Sequence, residues 1–102
     1  VNIPIGINNT GITVPVRYKL YQNYPNPFNP RTEISFDLPK ESSLKLVIYD
    51  VLGRVLNVLL NEKIKAGKYS TEWDADAFSS GVYFCRLSAG DFVDTKKVML
   101  IK

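Results

Sequence analysis

Residues 32–38 read TEISFDL. Ile34, Phe36 and Leu38 fall on one side of an extended chain, and Glu33, Ser35 and Asp37 fall on the other. Side chains alternate between the faces of a strand, so this period of two describes a half-buried β-strand. Pro39 ends it, because proline has no N–H to give to a ladder. The alternation recurs downstream. In SLKLVIYD (43–50), Leu44, Leu46 and Ile48 oppose Lys45, Val47 and Tyr49. In KYSTEWDA (68–75), Tyr69, Thr71 and Trp73 oppose Ser70, Glu72 and Asp74, which sets the single tryptophan in the core. VYFCRLSAG (82–90) and DFVDTKKVMLIK (91–102) read as two more strands, the last running to the end of the chain.

The gaps between these runs carry turn chemistry. Gly53 in DVLGR, Ala66-Gly67, Ser79-Ser80-Gly81 and Ala89-Gly90-Asp91 each mark a reversal. RVLNVLL (54–60) fits a helical period as well as a strand. The strand reading is preferred, because glycines bracket a short span and its neighbours are strands. Upstream, RYKLYQNY (17–24) suits a short edge strand. PNPFNP follows at Pro25, Asn26, Pro27, Phe28, Asn29 and Pro30; three prolines in six residues exclude both a helix and a central strand. Phe28 is expected to plug an edge of the core. Residues 1–16, rich in Asn, Gly and Pro, read as a linker from an upstream domain, and 17–102 as the folded unit. About seven short strands with regular turns define an all-β fold, an immunoglobulin-like antiparallel β-sandwich.

Composition narrows the chemistry. The 102 residues suit one domain with a modest core. No apolar run is long enough to span a bilayer, and VNIPIGINNTG at the start lacks the basic and apolar regions of a signal peptide. Any export signal must lie upstream or in the domain itself. The net charge of +3 is spread with both signs mixed, which argues against nucleic acid as a partner. There is no histidine, so Ser-His-Asp and Cys-His centres and imidazole metal sites are excluded. Cys85 is the single cysteine; no internal disulfide can form, and Arg86 beside it points to the other face. It reads as a small packing residue rather than a nucleophile. Asp74 and Asp76 lie in WDADAFSSG, where turn aspartates are the commoner explanation and calcium would need more oxygen ligands. No catalytic, cofactor or metal residue is assigned.

At this point a resemblance emerges. YKLYQNYPNPFNPRTEISFDLP, LVIYDVLGRVL, AGKYSTEWDA, SGVYFCRLSAG and TKKVMLIK, in this order over about residues 18–102, resemble the type A C-terminal sorting domain of the type IX secretion system. Cys85 departs from the large residue more usual there. Ig-like modules of flagellar hook-capping proteins share the IYD..G turn, but PNPFNP and the terminal lysine favour the sorting domain. The resemblance implies a non-catalytic sandwich at the end of a secreted enzyme or adhesin of a Bacteroidetes-type bacterium. It implies passage via the periplasm, recognition by outer-membrane secretion machinery, and a place on the outer surface or outside the cell. A sortase-like surface protease that removes the domain and attaches the cargo is the further implied partner. The alternative is an Ig-like structural or carbohydrate-binding accessory module. The tyrosines at 18, 21, 24, 49, 69 and 83 and Trp73 are spread over several strands, so a sugar platform is disfavoured.

Two stretches are candidates for recognition. PNPFNP is either a rigid docking epitope or a stiff cover for a sheet edge. The final hairpin holds Gly81, Tyr83, Arg86, Gly90, Lys96, Lys97 and Lys102. If it ends the sheet, its free backbone groups and lysines are open to pairing with a receptor strand; edge lysines also serve simply to block aggregation. The resemblance favours recognition, with one strand face on the core and the lysine-bearing face readable.

Overall fold

The structure, a computed structural model, describes residues 7–9 and 13–102. Among these residues the chain forms eight strands and no helix: β1 (Ile7–Asn9), β2 (Lys19–Leu20), β3 (Arg31–Leu38), β4 (Ser42–Tyr49), β5 (Val55–Ile64), β6 (Gly67–Asp74), β7 (Gly81–Ala89) and β8 (Phe92–Leu100). They build two four-stranded antiparallel sheets, ordered β1-β6-β3-β2 and β5-β4-β7-β8. The alternating residues of β3, β4 and β6 turn inward as expected. Ile34, Phe36, Leu38, Leu44, Leu46, Ile48, Tyr69 and Trp73 all belong to one buried cluster between the sheets. This is a β-sandwich, with Trp73 only 1% exposed in its core.

The sandwich reaches back beyond the expected domain start. Ile7–Asn9, within the stretch read as a linker, pairs with Tyr69–Thr71 of β6, and Ile7 is buried. The rest of that stretch up to residue 12 lies outside the described residues. Conversely, the strand expected over 17–24 shrinks to Lys19–Leu20; Tyr21 N–H still donates to Ser35 O (3.0 Å), and the chain rejoins β3 at the Tyr24–Glu33 bridge. The buried Asn23 side chain accounts for the gap. Its amide donates to Thr32 Oγ1 (2.9 Å) and Pro25 O (3.1 Å), drawing the chain into a turn in place of a ladder.

β5 settles the ambiguity in RVLNVLL. Its pairing with β4 slips between Leu46 and Val47 and again between Ile48 and Tyr49. Each slip is a bulge that places an extra residue on β5. Leu56 and Leu59 are the unpaired residues, and both pack against the core beside Leu60 and Ile64. The core positions are therefore 56, 59, 60 and 64, a helix-like spacing produced by a twice-bulged strand.

Candidate functional site

The Pro-rich segment and the terminal strand, distant in sequence, form one edge of the sandwich. Phe28 is 2% exposed and tilted against Trp73, ring centroids 5.4 Å apart, so it plugs the core end as expected. Trp73 in turn meets Phe78 (5.8 Å) and the edge of Tyr83 (5.7 Å). Phe28 anchors the backbone around it. Its N–H donates to Met99 O (2.9 Å), and its carbonyl accepts from Ile101 N–H (3.0 Å). Asn26 Oδ1 accepts from Met99 N–H (3.0 Å), and Gln22 Nε2 donates to Lys97 O (2.7 Å). Pro30 O accepts from Ala75 N–H (2.8 Å), tying the segment to the end of β6.

The outer edge of β8 is thus not free where sequence reasoning left it open. The outward carbonyl of Lys97, the N–H and carbonyl of Met99 and the N–H of Ile101 are bonded to Gln22, Asn26 and Phe28. PNPFNP covers this edge, and its prolines present acceptors and side chains without adding a strand that would itself expose a new edge. β8 also stops at Leu100, short of the chain end. Lys102 N–H donates to Ser80 Oγ (2.9 Å), and its ammonium is bonded to Asp76 O.

The three lysines do not share a face. Lys97 stands opposite Phe84 on the outer side of the sheet and is exposed. Lys96 stands opposite the buried Cys85, is half-buried, and pairs with Asp94 at 3.8 Å. Lys102 folds back over the β6–β7 connection. Of the other candidates, Arg86 is exposed on the outer face. Tyr83 is buried, and its hydroxyl donates to Ser79 O (2.5 Å). Gly81 is exposed opposite Leu100. Gly90, at the far end of the hairpin, has φ +58, the left-handed geometry that a two-residue turn takes at little cost only with glycine.

The turn expected at Gly53 in DVLGR forms, and it is held by Asp50, a residue that sequence reasoning did not single out. Asp50 Oδ1 accepts from Leu52 N–H (2.9 Å) and Arg54 N–H (3.0 Å), and Oδ2 accepts from Arg54 Nε (2.7 Å). The Arg54 N–H, foremost, and the Arg54 guanidinium and Leu52 N–H hold the carboxyl below the usual carboxylate range. Gly53 at φ +80 closes the turn, which displays Val51 and Leu52 largely exposed. The Asp-x-x-Gly spacing was the available signal. Asp74 is spent on Arg31 (3.3 Å) and on Asp76 N–H (3.0 Å). Of the tyrosines named above, Tyr24 alone is strongly exposed, while Tyr69 and Tyr83 lie in the core. Cys85 is buried, which pushes its thiol up to about 12.

Residues 22–102 match the family described as the secretion system C-terminal sorting domain. The chain belongs to this family, the type IX sorting domain that its motifs resemble. No curated protein matches it. Among solved structures it is similar to PorZ of Porphyromonas gingivalis, described as an essential bacterial surface component of the type-IX secretion system. The two share 20% identity and a TM-score of 0.53 over 83% of this chain, a likeness of fold. The chain spans 11% of the length of that protein.

Proposed function

We propose that this chain is the sorting signal of a larger secreted protein, without catalytic activity of its own. It directs its cargo from the periplasm through the outer-membrane type IX machinery and is then removed, or used for surface attachment, by a sortase-like protease. The observation that carries the reading is the family membership over residues 22–102, which takes in both distinctive segments. Their convergence on one edge supports it further: Gln22, Asn26 and Phe28 hold Lys97, Met99 and Ile101 in register, so a receptor meets the two motifs as one surface. The docking and edge-cover readings of PNPFNP then merge, since the cover is itself part of what is presented.

The experiment fuses the 102-residue chain to a periplasmic reporter in a host that has the type IX system. The reporter should appear at the surface or in the medium with the domain and remain in the periplasm without it. A folded fusion that stays in the periplasm overturns the reading. Lys97→Glu is the cleanest test of the lysines, because among the described residues Lys97 has no ion-pair partner, while Lys96 pairs with Asp94 and the Lys102 ammonium is bonded to the Asp76 backbone carbonyl. Lower export of a stably folded K97E fusion is expected.

A further inference from the structure

The two outer faces of the sandwich differ in charge. On β1-β6-β3-β2 the outward side chains include Glu33, Asp37, Glu72 and Asp74 against Lys19, Arg31 and Lys68. Five of these seven neutralise one another: Arg31 pairs with Asp74 (3.3 Å) and Glu72 (3.9 Å), and Lys68 pairs with Asp37 (3.5 Å). On β5-β4-β7-β8 the outward set follows from register, because cross-strand partners share a face. Lys45, Val47 and Tyr49 stand opposite Ser88, Arg86 and Phe84, and Arg86 and Phe84 stand opposite Thr95 and Lys97. Lys63 continues the face on β5. No carboxylate points this way from the four strands: Glu62 and Asp94 stand opposite Leu44 and Leu87, on the core side. Lys45, Lys63, Arg86 and Lys97 are all exposed, and none belongs to an ion pair among the described residues.

The cations surround apolar surface. Val55, Val58 and Val93 are each about half exposed, with Phe84 and Tyr49 partly so. Four strands make a face about 14 Å across. An unneutralised cationic rim around aromatic and aliphatic groups is the composition of a protein interface, and its charge selects an acidic partner. A lipid surface fits less well. The aliphatic tip that would enter it, Val51 and Leu52, has Arg54 as its neighbouring cation, and Arg54 is tied to Asp50 at 2.7 Å. Lys45 and Lys63 lie further along the sheet, away from that turn.

We propose that the outer face of β5-β4-β7-β8 docks a protein surface of the secretion machinery bearing carboxylates around an apolar centre. This rests on the sorting reading and names a surface that extends from the Pro-rich edge, which it meets at Lys97, across the rest of the sheet. The test uses the reporter fusion carrying Lys45→Glu, Lys63→Glu and Arg86→Glu. A control carries the same charge change at Arg17, Lys40 and Lys65, which lie outside these four strands. Export should fall by about tenfold or more for the face variant and stay near the parent level for the control. Failure of the unmodified fusion to export refutes the sorting reading; equal export of parent and folded face variant refutes this docking surface alone. An equal loss in the control refutes it too, since net charge would then be responsible. Should the face variant not fold, a photo-crosslinking residue at Val58 or at Glu72, one on each outer face, decides the matter. Crosslinks from Val58 and not Glu72 to an acidic segment of an outer-membrane component are expected. Crosslinks to lipopolysaccharide, to phospholipid or to a second copy of the chain overturn the proposal.

Discussion

Trp73 is a point of aromatic packing: Phe28, Phe78 and Tyr83 all meet its ring. Trp73→Ala should destabilise the domain by about 3–5 kcal/mol through lost contacts and a cavity, read from the denaturation midpoint. A smaller loss would mean that the neighbouring rings collapse into the space. Cys85 offers a pH test. Its thiol ionises near 9.0 when unfolded and at about 12 when folded, because burial disfavours the thiolate. Below pH 9 it is neutral in both states and has no effect on stability. Above pH 9 the unfolded chain releases the proton while the folded chain keeps it, so stability should fall as pH rises towards 12. Burial raises Tyr69 as well, which adds to the fall beyond its ordinary 10.0. Denaturation midpoints at steps above pH 9 should decline, and Cys85→Ala should remove the thiol's share of the slope. In the folded state a thiol reagent should react only as fast as the domain opens.

At the scale of elements, the Pro-rich segment works as a cover for β8. Asn26→Ala removes the acceptor of Met99 N–H and should cost about 0.5–1.5 kcal/mol. Amide exchange should distinguish the edge from the ladder: Met99 should exchange faster, while Val98 and Leu100, bonded towards β7, stay protected. Unchanged exchange at Met99 would show that the side-chain bond does not hold the edge. Phe28→Ala should be costlier, about 3–5 kcal/mol, and should free Ile101 as well. At the opposite edge β5 shows how far a pattern can mislead. Two bulges send Leu56 and Leu59 inward, which converts a period of two into the spacing of a helix. No residue within 54–60 announces this; the glycines on either side and the neighbouring strands were the usable signals.

For the whole molecule, the position of β1 has a measurable consequence. A chain that begins at residue 13 loses the Ile7 side chain from the core and the pairing of Ile7–Asn9 with β6. It should be less stable by about 1.5–3 kcal/mol, the usual worth of burying one such side chain. An unchanged midpoint would place the domain boundary where composition suggested, near residue 17. The two outer faces differ in the same global sense, one neutralised by its own ion pairs and the other not, and this difference exists only once the strands are in register.

The alternation in 32–38, 43–50 and 68–75 determined by itself that these segments are strands and which side of each is buried, since a strand's side chains obey a strictly local period. The absence of histidine excludes imidazole-based centres in this chain, and the lone Cys85 excludes an internal disulfide, without any fold. The motifs determined the family. What only the tertiary structure decided is which segments share a surface. The lysines look like one cluster in sequence, yet Lys96 and Lys97 point to opposite faces and Lys102 turns back to Asp76. The edge of β8 looks open in sequence, yet is covered by residues some seventy positions earlier. Both depend on long-range register, which is set by the packing of two sheets around Phe28 and Trp73 and by the bonding of edge groups that no local pattern encodes.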